Sequence, residues 1–177
     1  MALREIRVEG DPILNKACKP VKEMTERVAE LIDDMFETMY EGNGCGLAAN
    51  QVGILKQIIV MDIEDGEQYV LINPEILETE GEVAEFEGCL SVPGMRGKVT
   101  RPERVKVRAL NEDFEPIEID ADGLLSRCIQ HEIDHLHGHL YTERVEGRLY
   151  RNDEEIEDEE ETEDSAGEAG GEGSETA

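Results

Sequence analysis

Residues Gln130-His131-Glu132-Ile133-Asp134-His135 contain the pattern H-E-x-x-H. On a helix, positions four apart share a face, so His131 and His135 can direct two imidazoles at one metal ion. Glu132 would then stand beside a water acidified by that ion, an arrangement that hydrolyses amides. The same residues on an apolar helix also fit a satisfied core cluster, because short patterns recur by chance. All four histidines (131, 135, 137 and 139) fall within nine residues. That clustering favours a metal, with His137 and His139 read as surface residues at the helix end.

A catalytic site of this kind takes three protein ligands and leaves one position open. One metalloprotease class extends its helix as H-E-x-x-H-x-x-G-x-x-H. Gly138 fits that glycine, but Tyr141 stands where the third histidine belongs. Other classes take a glutamate well downstream. Here that region is low-complexity acid with no apolar helix to position a ligand. A cysteine upstream remains, from among Cys18, Cys45, Cys89 and Cys128.

These groups need elements to hold them. A helix is expected from Thr25, its cap, to about Glu41, with an apolar stripe of Val28, Leu31, Ile32, Met35, Phe36, Met39 and Tyr40. Gly42, Gly44 and Gly46 end it and leave backbone that other groups can approach closely. Strands are expected over 57–63, 68–72, 76–84, 105–110 and 116–120, with Asp65-Gly66 as a hairpin turn. A second helix is expected from about Ala121 to Leu140, with Leu124, Leu125, Cys128, Ile129, Glu132 and His135 on neighbouring faces. Residues 1–20 read as an irregular arm broken by Gly10, Pro12 and Pro20. Strands precede the long helix, so the fold class is α+β: antiparallel or mixed β-sheets around a central H-E-x-x-H helix, plus an N-terminal helix.

Composition bounds the function. The 177 residues suit one domain. The boundaries expected are a catalytic domain over 1–150 and a disordered acidic tail over 151–177, where Glu, Asp, Gly, Ser and Ala dominate. Residues 153–177 hold thirteen Asp/Glu and no Lys or Arg, which leaves −14 of the formal −27 on residues 1–152. An acidic body argues against DNA or a broad nucleic-acid face. The first residues form no long apolar run, so neither a signal peptide nor a membrane span is expected. The scattered cysteines form no C-x-x-C pair and read as reduced thiols in a cytoplasm. Six Lys against eleven Arg, within an acid excess, fits a salt-rich cytoplasm or simply a solvated acidic face.

Three stretches carry a resemblance. Gly44-Cys45-Gly46-Leu47-Ala48-Ala49-Asn50-Gln51 fits G-x-G-L-A-A-x-Q, Glu87-Gly88-Cys89-Leu90-Ser91 fits E-G-C-L-S, and residues 130–135 fit Q-H-E-x-D-H. In this order and spacing the chain resembles the peptide deformylases over about residues 1–148. The resemblance implies Cys89 as third ligand beside His131 and His135, and Glu132 as general acid/base. It also implies that Gln51 and the Leu90 backbone N–H hold the oxyanion. A thiolate among the ligands suits Fe(II) as well as Zn(II); the resemblance implies one Fe2+ per chain, with Zn2+ as a substitute.

The implied substrate is the N-formylmethionyl end of nascent polypeptides, deformylated to release formate. It would lie extended along Gly44, Cys45 and Gly46, with its methionine among Leu90, Leu124 and Cys128 and with Arg96 near its backbone or simply solvated. Cys45 is expected to act as a small apolar lining residue, and Glu87 and Arg101 to pair. Arg127 departs from the apolar residue many relatives place there; its stem is expected to line the pocket while its head reaches water. Ribosome contact, where it occurs, would be transient, since some relatives use a basic C-terminal helix and this end is acidic. A monomer is expected. Two rivals stay open: an H-E-x-x-H endopeptidase of another class, and a non-catalytic metal-binding, ribosome-associated module. A purely structural site has no need of Glu132 and Gln51.

Overall fold

The computed structural model describes residues 2–156. Thr25 caps α1 (Glu26–Glu41), its hydroxyl accepting from the Val28 N–H at 3.2 Å. Most helical stability in a protein comes from packing an apolar face rather than from propensity, so α1, 16 residues long, depends on what covers that face. Among the described residues eight strands follow: β1 (Gly46–Ala48), β2 (Ile58–Met61), β3 (Tyr69–Glu80), β4 (Val83–Cys89), β5 (Val92–Arg101), β6 (Arg104–Leu110), β7 (Pro116–Asp122) and, after α2 (Gly123–Leu136), β8 (Glu146–Arg151). The strands form a five-stranded sheet ordered β1-β2-β3-β6-β7 and a three-stranded sheet ordered β4-β5-β8. Every strand pair among the described residues is antiparallel. The fold is therefore α+β, as expected.

Strand β2 is buried at all four positions, and the two cores explain why. Ile59, Met61 and Leu71 pack with Ile129, Ile133 and Leu136 of α2. Ile58, Val60, Val70 and Ile72 pack with Leu31, Met35 and Met39 of α1. Alternate side chains leave opposite faces of a strand, so a sheet with a helix on each face needs a continuous apolar run. The helix bearing the H-E-x-x-H pattern is thus fixed against one sheet face, and α1 braces the other.

Several boundaries differ from expectation. The strand expected over 76–84 is two strands: β3 runs to Glu80, the chain turns at Gly81 with φ +72, and β4 begins at Val83. Helix α2 ends at Leu136 rather than Leu140. Gly138 adopts φ +83, and a Cβ there would lie 2.6 Å from the Asn15 carbonyl oxygen. The glycine is required by this close approach to the N-terminal arm. That arm is not loose: Ala2 N–H donates to Asp34 at 2.7 Å and Arg4 N–H to Thr38 at 3.0 Å, both on α1. The boundary expected at 151 falls inside ordered chain, since Arg151 pairs with Met95 and the Asn152 N–H donates to the Gly94 carbonyl at 2.8 Å. Residues 157–177 of the expected tail lie outside the described residues. No helix among the described residues is long and apolar enough to cross a membrane.

Candidate active site

Three elements converge on one cleft of about 530 Å³. Helix α2 brings His131, His135 and Glu132, all buried. The β4–β5 hairpin brings Cys89, and the short 3-10 turn Ala49–Val52 after β1 brings Gln51. The possible ligand atoms of Cys89, His131 and His135 lie within 4.8 Å of one another. Cys89 Sγ is 3.3 Å from His135 Nε2.

The surroundings of each group fit a cation at that point. His131 Nδ1 faces Glu87 Oε1 at 2.8 Å, so this ring nitrogen donates to the carboxylate and leaves Nε2 free for a ligand role. Burial, then the charges of His131 and Arg101, hold His135 well below its ordinary pKa, in the neutral form a metal needs. Burial and the nearby Glu132 push the Cys89 thiol up to about 12, so a thiolate there requires a positive partner. Glu132 is the most informative group. Its Oε2 is buried without a hydrogen-bond partner among the described residues. Burial, then the charges of Cys45 and Glu87, drive its carboxyl well above the usual range. A buried carboxylate oxygen with nothing to accept is rare in a folded protein unless a ligand or water belongs there.

A network behind the site holds it in place. Glu87 accepts from Arg101 at 2.6 and 3.0 Å and from Arg127 at 2.5 Å. Arg101 also reaches Asp134 at 3.0 Å, and Arg144 reaches the same carboxylate at 2.7 Å. Arg127 donates further to the carbonyls of Val99 at 3.0 Å and Val83 at 2.8 Å. Its head is therefore buried in an ion pair and does not reach water. The E-G-C-L-S hairpin must be clamped to α2, and two guanidiniums on one carboxylate do this at several points. Burial by itself would raise Glu87, but hydrogen bonds from His131 and Arg101 and the charge of Arg101 bring it down to about 2.

Removing one partner of a buried pair leaves uncompensated charge, so Glu87→Gln should cost about 3–5 kcal/mol of stability, read by denaturant unfolding. A loss below about 1 kcal/mol would mean that the network is worth no more than a surface pair. The depressed Glu87 contributes stability that is complete above its ordinary value of 4.5 and lost as pH falls towards about 2. Glu87→Gln should flatten that acid limb.

The other expected site residues divide. Gly44, Cys45, Gly46, Leu90, Leu124 and Cys128 line the cleft. A Cβ on Gly46 would lie 2.8 Å from Cys128 Sγ and 2.9 Å from Glu132 Oε1, and one on Gly44 would lie 2.7 Å from Leu90. The glycines are there because side chains press on this backbone. Leu124 is on the rim, 56% exposed. Arg96 is not brought to the cleft. Its guanidinium donates to the carbonyls of Arg151 at 3.1 Å, Asn152 at 2.9 Å and Glu154 at 2.8 Å, and so pins the chain after β8. Cys45 is more than an apolar lining residue: it is exposed, and a hydrogen bond from Cys128 lowers its thiol to about 7.

Gln51 is committed on both ends. Its Oε1 accepts from the Ala48 N–H at 2.9 Å, and its Nε2 donates to Ser91 Oγ at 3.1 Å, with Cys89 Sγ 3.6 Å away. Its amide N–H face is thereby held towards the ligand cluster. The sequence reading missed several supports. The buried Ser91 fixes Gln51. Asn50 donates to the His135 carbonyl at 2.6 Å. The buried Tyr141 stacks on His131 with ring centroids 5.8 Å apart. In the arm, the Arg7 N–H donates to the Gln51 carbonyl and the Glu9 N–H to the Ser91 carbonyl, both at 2.7 Å. Asn50 and Ser91 stand inside the quoted motifs, which was the available signal; nothing local marks the arm.

Comparisons with known proteins show the family of the chain. The family model for polypeptide deformylase matches residues 3–149. A peptide deformylase of Agathobacter rectalis is 61% identical over 150 residues, which is 85% of this chain and 94% of that protein. A crystal structure of a peptide deformylase from Legionella pneumophila superposes with TM-score 0.80 at 46% identity, covering 82% of this chain and 87% of that one. One from Synechococcus elongatus in complex with actinonin gives 0.79 at 46% identity, covering 82% and 80%. With nearly the whole described chain matched in sequence and in fold, this protein belongs to the peptide deformylase family.

Proposed function

We propose that Cys89, His131 and His135 hold a single divalent ion, Fe2+ with Zn2+ as a substitute. At this centre the chain, a peptide deformylase, hydrolyses the formyl group of N-formylmethionine at the N-terminus of nascent polypeptides and releases formate. The observation that carries this reading is the buried Oε2 of Glu132, without a hydrogen-bond partner among the described residues, beside three convergent ligand side chains. When bound, the ion supplies a water acidified towards a pKa of ~7 and polarises the formyl carbonyl.

The residues do the rest. Glu132 takes the proton of the attacking water and passes it to the leaving amine. The Gln51 amide, held by Ala48 and Ser91, and the Leu90 backbone N–H donate to the oxygen that becomes negative, each contributing on the order of 3 kcal/mol. Strand β1 is at the edge of its sheet, so an extended peptide can pair along Gly44–Gly46 as an added strand. The methionine side chain then enters the cleft between Leu90, Leu124 and Cys128.

The deciding experiment is formate release from formyl-Met-Ala-Ser, set against cleavage of an end-blocked peptide, with metal analysis of anaerobically purified protein. Formate from the first substrate alone, with one ion per chain, supports the proposal; a metal-loaded protein that releases no formate sinks it.

We further propose that the enzyme acts in the cytoplasm as a monomer, with only transient ribosome contact. Residues 157–177 contain ten Asp/Glu and no large apolar residue to dock with. Truncation after Ile156 should leave kcat/KM on a short formyl peptide nearly unchanged. It should raise non-specific RNA binding, and added salt should erase that gain as the Debye length falls to ~3 Å at 1 M. A large fall in melting temperature after truncation would show instead that the segment packs on the body.

A further inference from the structure

Cys45 and Cys128 are far apart in sequence, yet their sulfurs lie 3.8 Å apart at the wall of the substrate cleft. They differ in accessibility in a useful way: Cys45 is exposed to the cleft and Cys128 is buried beneath it. The Cys45 backbone is anchored, its carbonyl accepting from the Asp62 N–H at 2.9 Å, so the two thiols are held facing each other. Neither is needed as a ligand, since Cys89 completes the cluster with the two histidines.

We propose that Cys45 and Cys128 form a peroxide-sensitive dithiol in the substrate cleft, and that their oxidation to a disulfide reversibly blocks the site. The exposed thiol reacts first. Cys45 attacks a hydroperoxide, whose O–O bond breaks to give an alcohol or water and a Cys45 sulfenic acid. The Cys128 sulfur then attacks that sulfenic sulfur, water leaves, and the S–S bond forms. Two thiols lose two electrons and the peroxide gains them. The hydrogen bond from Cys128 that lowers the Cys45 thiol to about 7 assists the first step by raising its thiolate fraction.

The consequence for turnover follows from crowding. A disulfide draws the sulfurs to ~2.05 Å apart. The Cys128 sulfur already presses on the Gly46 position, where the Glu132 carboxylate also crowds. Shifting either sulfur displaces the Gly44–Gly46 edge and the wall beside Glu132. The loss of turnover rests on the proposed deformylase site; the thiol chemistry does not.

The test uses zinc-loaded enzyme, whose ion has no redox chemistry of its own. Hydrogen peroxide is the probe, and excess is removed before assay. Peptide mapping should find one disulfide joining Cys45 to Cys128 and a chain lighter by two hydrogens. Formate release from formyl-Met-Ala-Ser should fall by about 10²-fold, as expected for a small displacement of catalytic groups, and dithiothreitol should restore it. Cys45→Ser and Cys128→Ser should each keep the rate they show before treatment. A disulfide to Cys89, oxygen added only at Cys89, or no cross-link at all would overturn the proposal. So would loss of activity in the two serine variants equal to that of the parent. If the cross-link forms but no enzyme sample releases formate even before peroxide, the deformylase reading fails and the dithiol chemistry stands.

Discussion

Glu132→Gln should keep its metal and lose at least ~10²-fold in kcat on a formyl peptide. The substitution preserves the size of the side chain and removes the proton-accepting oxygen. Position 132 lies beside the ligand residues but points its Oε2 into a space with no partner among the described residues. Folding should not suffer, because burial already disfavours the charged carboxylate. An amide in its place removes that electrostatic cost, and the melting temperature should hold or rise. Metal content and kcat measured on the same sample decide the matter. A variant with near-parental kcat would mean that the unpartnered oxygen has no part in proton transfer. A variant that loses its metal would make Glu132 a ligand instead.

Cys89→Ala should lose the metal, whereas Cys45→Ala and Cys128→Ala should retain it. Only Cys89 lies within ligand distance of both histidines. The other two thiols face each other across the cleft wall. Losing one of three ligands removes affinity that two neutral imidazoles cannot replace, so the drop in bound metal should be at least ~10-fold, the lower end of what even outer-shell changes produce. Metal-to-protein ratio after dialysis reads it directly. Equal metal content in all three variants would show that the wrong thiolate is identified. Cys89→Asp should bind an ion again, with preference moved towards harder metals. That variant also separates loss of a ligand from collapse of the hairpin, because Asp cannot mimic Cys in packing but can in charge.

Much of this was legible in the residues because it depends on local spacing. The 3.6-residue stripe of Val28, Leu31, Ile32, Met35, Phe36, Met39 and Tyr40 marks α1 wherever the helix is placed, and the structure buries it except at Phe36, which is half-buried, and Tyr40, which is exposed. His131, Glu132 and His135 owe their relation to one helix, so their spacing was sufficient. The apolar run over 57–63 likewise announces a strand, which the structure places at Ile58–Met61.

Other features depended on pairing between distant segments. The run 76–84 could be seen as strand material, but the turn at Gly81 that splits it is forced by where β5 pairs back. The irregular arm has no period to detect, yet its N–H groups hold the backbones of Gln51 and Ser91. Arg127 and Arg96 illustrate the limit most clearly. Each is a single cation whose charge can go to water, substrate or a buried acid. Nothing within a few residues says that Arg127 meets Glu87, forty positions away, or that Arg96 meets the carbonyls of Arg151, Asn152 and Glu154.

The sequence by itself determined the chemistry that can be performed: two histidines and a glutamate in helical register, a cysteine and an amide in distinctive motifs, and an acidic end with nothing to bury. The tertiary structure decided how Cys89 comes to stand beside the two histidines, how Glu132 Oε2 is left without a hydrogen-bond partner among the described residues, and which charges are consumed in clamping the hairpin to α2. The physical reason is the range over which each is set. Helical spacing and composition are properties of neighbouring residues, whereas burial, ion pairing and the approach of two sulfurs exist only once distant segments pack against one another.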